Sequence, residues 1–340
     1  MAYERVLQAI EDIKNGKMVV MVDDEDRENE GDVVCAACFC DVEKVNFMIS
    51  NAKGVLCTPL TPHLARKFNL TPMVVSNTSQ HETAFTVSID AKHAATGVSA
   101  YERDMTIKML VDPATEPSDF VRPGHIFPLI AKKGGVLERT GHTEGSIDLC
   151  KLAGLTPVSV ICEVVKEDGS MARRPDLEEF CARFGLNMVS VSDIIEYRLH
   201  HEKLIRVADP CAAKIADLDA LKFEIIDHLG NVHYAFIFGG LDSLEGCANV
   251  KFHKIGADLR LLTSERYDEF MRHLNILASE GGILVFLSGE DPSGGVFKNY
   301  GVGAQILAHF GVREMQILSS SEKEFVAIGG FGLNIVGYRA

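Results

Sequence analysis

Seven carboxylates fall within ten consecutive residues, Asp23-Asp-Glu-Asp-Arg-Glu-Asn-Glu-Gly-Asp32, and the segments on either side are apolar. Met18-Val-Val-Met-Val22 reads as a buried strand, and Val33 to Cys40 is mostly apolar as well. Acid this dense between two segments that enter a core is costly. Each carboxylate near the low-dielectric end of a strand makes its neighbours harder to ionise unless cations are at hand. Hard divalent cations such as Mg2+ or Mn2+ resolve the conflict, because they take oxygen ligands and let substrate oxygens complete the shell. A charge run by itself is more often a solvated face, so a metal loop needs support from elsewhere in the chain. An EF-hand is excluded. Asp26-x-Glu28-x-Glu30-Gly31 imitates its first half, but position twelve of that frame is Ala37, and the second half is strand-like.

At 340 residues the chain is long enough for two domains, each with its own core. A net charge of −14 argues against nucleic acid, which needs a basic face. A phosphorylated substrate would therefore rely on local Arg, Lys, hydroxyl or helix N-terminal groups. Nine cysteines, an odd number spread through apolar segments, point to reduced thiols and a cytoplasmic protein rather than a disulfide scaffold. Cys35-x-x-Cys38-x-Cys40 has no second pair nearby, and its strand-like setting favours small buried side chains over a metal site. No signal peptide is expected, and no apolar run is long enough to span a membrane.

Residues 4–15 form an amphipathic pattern ending at Gly16, and Asp41 caps a helix closing near Gly54. A short strand is expected over Gly54–Cys57, a helix from Thr61-Pro62 to about Phe68, and a strand over Thr83–Ile89. Ser99-x-x-Glu102 is a capping box opening a helix to about Val111; with Thr96 nearby, phosphate binding and plain capping explain it equally. Pro113 to Pro123 reads as a loop delivering Arg122-Pro-Gly-His125, where His125 is open to a core reading as well as a chemical one. Arg139-Thr140-Gly141-His142-Thr143 leads into a helical Ser146–Leu152. A base, a glycine, an imidazole and a hydroxyl there suit an anion and a cation together. Thr156–Val165 is an apolar strand with one acid, Glu163, suited to proton transfer or equally to a solvated face. A helix over Asp176–Phe184, a strand over Asn187–Val191 and a helix from Asp193 complete this half.

A polar joint at residues 200–210 marks a boundary, giving domains 1–202 and 203–340. Beyond it, Leu221–Ile226 and His233–Phe238 flank a hairpin turn. Ser264 caps a long helix to about Ser279, Ile283–Leu287 is a strand, and Asn299–Gly311 is a helix. Strands near Met315–Leu318 and Glu324–Ile328 follow. The fold class is α/β (α+β), a mixed-sheet domain followed by a smaller α/β domain; strand order is not derivable from the pattern.

The first 200 residues resemble 3,4-dihydroxy-2-butanone 4-phosphate synthase of the riboflavin pathway. The resemblance rests on the acidic decapeptide, Thr96-Gly-Val-Ser99-Ala, Arg122-Pro-Gly-His125, Gly141-His142-Thr143-Glu144 and Ala-Gly154-Leu, in the family's order. It implies a lyase that converts D-ribulose 5-phosphate to 3,4-dihydroxy-2-butanone 4-phosphate and formate. It implies Glu28 and His142 as ligands of two Mg2+ or Mn2+ ions, and Arg27, Glu28, Asp32, Arg139, Thr140, Gly141, His142, Thr143 and Glu163 as substrate contacts. His125 and Glu163 resemble the residues the chemistry requires, a proton-transfer pair, with Asp32 and Glu30 steering hydroxyls; Cys57 matches a cysteine lining the family's pocket. The family's homodimers place the site at the subunit interface.

Residues 203–340 look like the GTP cyclohydrolase II half of bifunctional relatives, most clearly at Asn299-Tyr-Gly-Val-Gly-Ala-Gln-Ile-Leu. That family holds zinc with three cysteines spaced Cys-x10-Cys-x-Cys. Here the positions counted forward from Cys247 are Asp258 and Arg260, and one thiolate does not make a zinc site. Its Glu-Gly-Arg-Gly-Ile-Gly loop is also absent, with Ser288-Gly-Glu-Asp-Pro-Ser-Gly-Gly295 in its place. This half is expected to be inactive as a cyclohydrolase and to need no zinc. Residual GTP opening and a non-catalytic structural or regulatory role are the alternatives.

Overall fold

The computed structural model describes residues 2–25, 27–255, 266–288, 296–320 and 332–340. The chain forms two compact units, Met1–Tyr197 and Arg198–Ala340.

The first unit is built on a mixed sheet of β1 (Val19–Val22), β2 (Gly31–Ala36), β3 (Cys57–Leu60), β4 (Ile89–Ala91), β5 (Phe120–Ile130), β6 (Ser159–Glu163) and β7 (Asn187–Ser190). Their order is β4-β5-β3-β6-β2-β1-β7. β1 runs parallel to β7 and β3 to β5, and the other neighbours are antiparallel. Both faces of β1 and β2 are covered, which is why every residue in them is buried.

The register sorts the side chains. Val20, Val33 and Cys162 lie across from one another and belong to the large apolar cluster with Met48, Leu60, Phe68 and Ile107. The alternate set turns to the other face: Met21 opposite Asp32, Asp32 opposite Glu163, Val34 opposite Ile161, and Cys57 opposite both Ile161 and Phe127. Two acids therefore sit side by side on a strand pair whose reverse side is wholly apolar. The helix His142–Leu152 packs on this second face. It comes so close that a Cβ at Gly145 would stand 2.5 Å from Sδ of Met21. Gly145 is thus what lets the helix, and His142 at its first turn, approach the sheet.

Five sequence expectations are corrected. The strand expected at Gly54–Cys57 begins at Cys57 instead. Lys53 ends the preceding helical turn in the left-handed region, and the N–H groups of Gly54 and Val55 both bond to Glu163. Thr83–Ile89 is joined to β5 only by an isolated bridge at Phe85 before β4 begins. Pro128 of β5 has no N–H to offer a ladder there. The proline-rich loop expected to reach Pro123 stops earlier, since β5 starts at Phe120 and carries Pro123 and Pro128 within it. The helix expected from Ser146 starts at His142, because Gly145 is helical rather than a breaker. Of the three cysteines at 35, 38 and 40, Cys38 is exposed on a short turn and only the other two are buried.

The second unit's sheet comprises β8 (Ile205–Val207), β9 (Cys211–Ile215), β10 (Leu218–Asp227), β11 (Val232–Phe238), β12 (Cys247–Lys254), β13 (Gly282–Leu287), β14 (Glu314–Leu318) and β15 (Asn334–Arg339). Its order is β15-β14-β12-β13-β11-β10-β8, with β9 also pairing to β10. The hairpin expected between β10 and β11 forms, closed by Asp227, whose carboxylate accepts from the N–H groups of Leu229 and Asn231. Helix Arg266–Glu280 packs Phe270, Leu274 and Leu277 on one face, and helix Val296–His309 packs Ile306 and Leu307 on the other. The cap expected at Ser264, the strand expected at 324–328, the cysteine-replacing positions 258 and 260, and residues 289–295 lie outside the described residues. Among the described residues, no helix is long and apolar enough to cross a membrane.

Candidate active site

The acidic loop is folded by its first member. The buried carboxylate of Asp23 accepts from the N–H of Glu28 (3.1 Å), the N–H of Glu30 (2.9 Å) and Nη1 of Arg27 (2.8 Å). Arg173, at the N-cap of the helix Arg174–Phe184, donates to the carbonyls of Glu28 and Asn29 from outside. These bonds turn the loop back so that β1 and β2 pair immediately on either side of it. Arg27 Nη1 also stands 2.8 Å from Oε2 of Glu28, so one guanidinium bridges two of the acids.

His142 completes the cluster from the helix. Its Nδ1 is 3.6 Å from Oε2 of Glu28 and 3.8 Å from Oδ1 of Asp32. Donor atoms of Asp23, Glu28 and His142 all lie within 4.8 Å of one another. Burial pushes the Asp32 carboxyl up, to about 7, with His142 opposing and Glu163, Glu28 and Asp23 adding to the rise. Burial alone would pull the His142 imidazole down, but Asp32, Glu28 and Asp23 outweigh it and hold it at about 9. Glu28 goes the other way. Against the cost of burial, His142 and Arg27 hold it at about 2.

Two buried polar atoms in this cluster have no hydrogen-bond partner, Oδ1 of Asp32 and Nε2 of His142. Each such atom costs roughly 1–3 kcal/mol. Carboxylate oxygens suit a hard divalent ion such as Mg2+ or Mn2+, and the buried imidazole adds one nitrogen beside them, so the residues present fit a divalent ion.

Beside the acids lies a cationic corner. Arg139 Nη1 pairs with the buried Oε2 of Glu144 at 2.6 Å, and its other nitrogens donate to the His81 carbonyl and Thr83 Oγ1. Glu144 also accepts from the N–H of Lys132. The guanidiniums of Arg27 and Arg139 both reach Gly141, the N-cap of the helix that begins with His142 and Thr143. A helix N-terminus flanked by two guanidiniums is an anion site by charge and by free N–H groups. Thr140 is half-buried just before it.

Glu163 ends β6 directly opposite Asp32, and its Oε2 accepts from the N–H of Val55 at 2.8 Å. Cys57 follows on the same face, where burial, with Glu163 and Asp32 adding, pushes its thiol up. The register therefore gathers Asp32, Glu163 and Cys57, and the loop and helix bring Arg27, Glu28, Arg139, Gly141, His142 and Thr143 to them. His125 lies two residues before Phe127, which pairs with Cys57, but its ring is bonded to Asp90 rather than to this cluster. Asp23, Asp90, Glu144 and Arg173 were given no role from sequence. Asp23 and Glu144 stood inside quoted motifs; Asp90 and Arg173 gave no signal, since their partners are distant in the chain.

Residues 7–197 match the family described as 3,4-dihydroxy-2-butanone 4-phosphate synthase. A protein of that name from Campylobacter jejuni is 55% identical over 336 residues, covering 98% of each chain. The chain belongs to this synthase family. A crystal structure described as RibBX, a two-domain 3,4-dihydroxy-2-butanone 4-phosphate synthase from A. baumannii, superimposes with a TM-score of 0.85 at 38% identity, covering 99% of both chains. Another synthase structure, in complex with two magnesium ions, matches at 40% identity and a TM-score of 0.55, covering 56% of this chain and 95% of that one. A second family, GTP cyclohydrolase II, matches residues 291–340 only. The family match over residues 7–197 thus falls within the first unit, which holds the acidic loop, whereas the Campylobacter relative and the two-domain structure match both units.

Proposed function

We infer that the first unit is a divalent-metal-dependent lyase that converts D-ribulose 5-phosphate to 3,4-dihydroxy-2-butanone 4-phosphate and formate for riboflavin biosynthesis. The observation that carries this reading is the meeting of Glu28, Asp32 and His142, with two buried donor atoms unpaired, in a chain of this family.

Glu28 and His142 would hold Mg2+ or Mn2+, two ions per site, which supply Lewis-acid charge beside the substrate's carbonyl and neighbouring hydroxyl. Arg27, Arg139, Thr140, Thr143 and the N–H groups after Gly141 would bind the phosphate end. Asp32 and Glu30 orient hydroxyls. Glu163, on the face shared with Cys57, removes and returns a proton, and His125 is the second proton-transfer group. Cys57, paired with Phe127 across the strands on the Glu163 face, would line the substrate site. We propose a homodimer in which His125 of one chain serves its partner's cluster. The exposed apolar side chains of Val98, next to the Gly97 that covers the His125 ring, and of Tyr101 and Met105 on the helix that follows support that arrangement.

The test is formate release. Purified protein supplied with ribulose 5-phosphate and Mg2+ should produce formate, stop on chelation and fail when Glu163→Ala is introduced. Formate that continues in excess chelator, or in Glu163→Ala, refutes the assignment. The second unit is proposed to be inactive as a cyclohydrolase.

A further inference from the structure

The Arg122-Pro-Gly-His125 motif sits where β5 breaks register with β4. Ile89 pairs with Ile126, yet the next residue, Asp90, pairs with Val121, so residues 122–125 bulge out of the ladder. A bulge of this kind leaves backbone groups without ladder partners and re-aims a side chain. Here the buried carboxylate of Asp90 fills the gap. Its Oδ1 accepts the N–H of His125 at 2.8 Å, and its Oδ2 is 2.8 Å from Nδ1 of the same residue. One carboxylate thus holds both the backbone and the ring of His125.

A third segment seals this contact. Gly97 lies over it with φ +78, and a Cβ there would stand 2.0 Å from Oδ2 of Asp90 and 2.7 Å from Nδ1 of His125. That glycine is fixed in turn by Glu102, whose carboxylate accepts from the N–H groups of Ala95 (2.5 Å) and Gly97 (3.0 Å), and from the hydroxyls of Thr96 and Ser99 (both 3.2 Å). The backbone thereby covers the Asp90 side of the ring, while the His125 side chain remains 45% exposed.

We propose that Asp90 is a positioning residue for the lyase reaction: it fixes His125 in the Nδ1–H tautomer and leaves Nε2 as the ring atom that handles the substrate's proton. An ionised carboxylate only accepts, so the ring nitrogen facing it carries the hydrogen, and the opposite nitrogen carries the lone pair. This rests on the reading of His125 as a proton-transfer group, and the experiment separates the two.

Protein labelled with 15N-histidine, with His125 assigned by its loss in His125→Gln, should show the Nδ1–H pattern at His125. Asp90→Asn keeps the size and the oxygen for the backbone N–H but turns an amide donor toward Nδ1. The His125 pattern should invert to Nε2–H, kcat for formate release should fall about 100-fold or more, and KM should stay within a few-fold. Asp90→Glu should recover part of the tautomer preference. A wild-type ring already in the Nε2–H form, or a ring unchanged in Asp90→Asn, overturns the proposal whatever the activity. An inverted ring with full kcat, or full activity in His125→Gln, instead overturns the reading of His125, and the positioning role falls with it.

Discussion

Nδ1 of His142 stands 3.6 Å from Oε2 of Glu28, although one comes from the loop after the first strand and the other from a helix far down the chain. Neither side chain can settle there alone. Glu28 leans on Arg27, and the buried His142 leans on the acids around it. If the pair exists to hold an ion, Glu28→Gln and His142→Ala should each weaken Mn2+ binding by more than about 100-fold, beyond the 10–100-fold typical of residues that only support a ligand. Titration followed by the electron spin resonance of free Mn2+, with Mg2+ as competitor, reads this directly. A loss of tenfold or less in both variants would remove the pair from the metal site.

The same cluster sets how the metal-free chain responds to pH. His142 is held at about 9 against an ordinary 6.5, so its proton contributes stability that is complete below pH 6.5 and lost as pH rises through 9. Asp32 is raised to about 7 from an ordinary 3.8, so its penalty begins above 3.8 and is complete above 7. Glu28, depressed to about 2, loses its contribution only as pH falls toward that value. Near pH 6.5–7 both slopes point down, and from 7 to 9 loss of the His142 proton continues alone, so stability in chelator should fall from pH 6 to 9. Metal binding displaces protons from these ligands, so Mn2+ affinity should rise by up to about tenfold per pH unit over the same window. Calorimetric melts with and without Mn2+ should therefore diverge as pH rises. Convergence toward pH 9 would contradict the protonation pattern.

How far the molecule can be read from its residues depends on distance along the chain. The placement of the acidic loop between two buried strands was legible because the pattern is local: seven carboxylates stand directly between two apolar segments. The helix start was expected at Ser146 rather than His142 because a glycine such as Gly145 weakens a helix by about 1 kcal/mol, and Met21, the side chain that needs its missing Cβ, is on the first strand. Asp90 was invisible because its role exists only after β4 and β5 slip register beside His125. Parallel neighbours such as β1 with β7 and β3 with β5 need long crossovers, and no periodicity records which strand a crossover returns to.

Gly141 offers a substitution that disturbs binding without disturbing the fold. Its φ of −110° is open to any residue, but a Cβ would stand 2.5 Å from Nη1 of Arg139 and 2.9 Å from Nη2 of Arg27. Both contacts are the ends of long side chains, which can move aside. Gly141→Ala should therefore leave the melting temperature within about 2–4 °C, a change of roughly 1 kcal/mol or less. It should also raise KM for ribulose 5-phosphate about 10- to 100-fold, the value of one or two charge-assisted bonds to phosphate. An unchanged KM would mean that these guanidiniums do not meet the phosphate.

The second unit makes its own prediction. Its cysteines, Cys211 and Cys247, are both exposed and sit on different strands, β9 and β12, which are not paired with each other. A structural or catalytic zinc needs three or four convergent N or S donors. Among the described residues, the one group of three or more candidate donors close enough to share an ion is Asp23, Glu28 and His142 in the first unit. Protein purified without chelator should carry less than about 0.1 zinc per chain by mass spectrometry, and incubation with GTP, with or without added zinc, should release no formate. Stoichiometric zinc together with GTP turnover would show that the cyclohydrolase-like end of the chain has kept a site built from other donors.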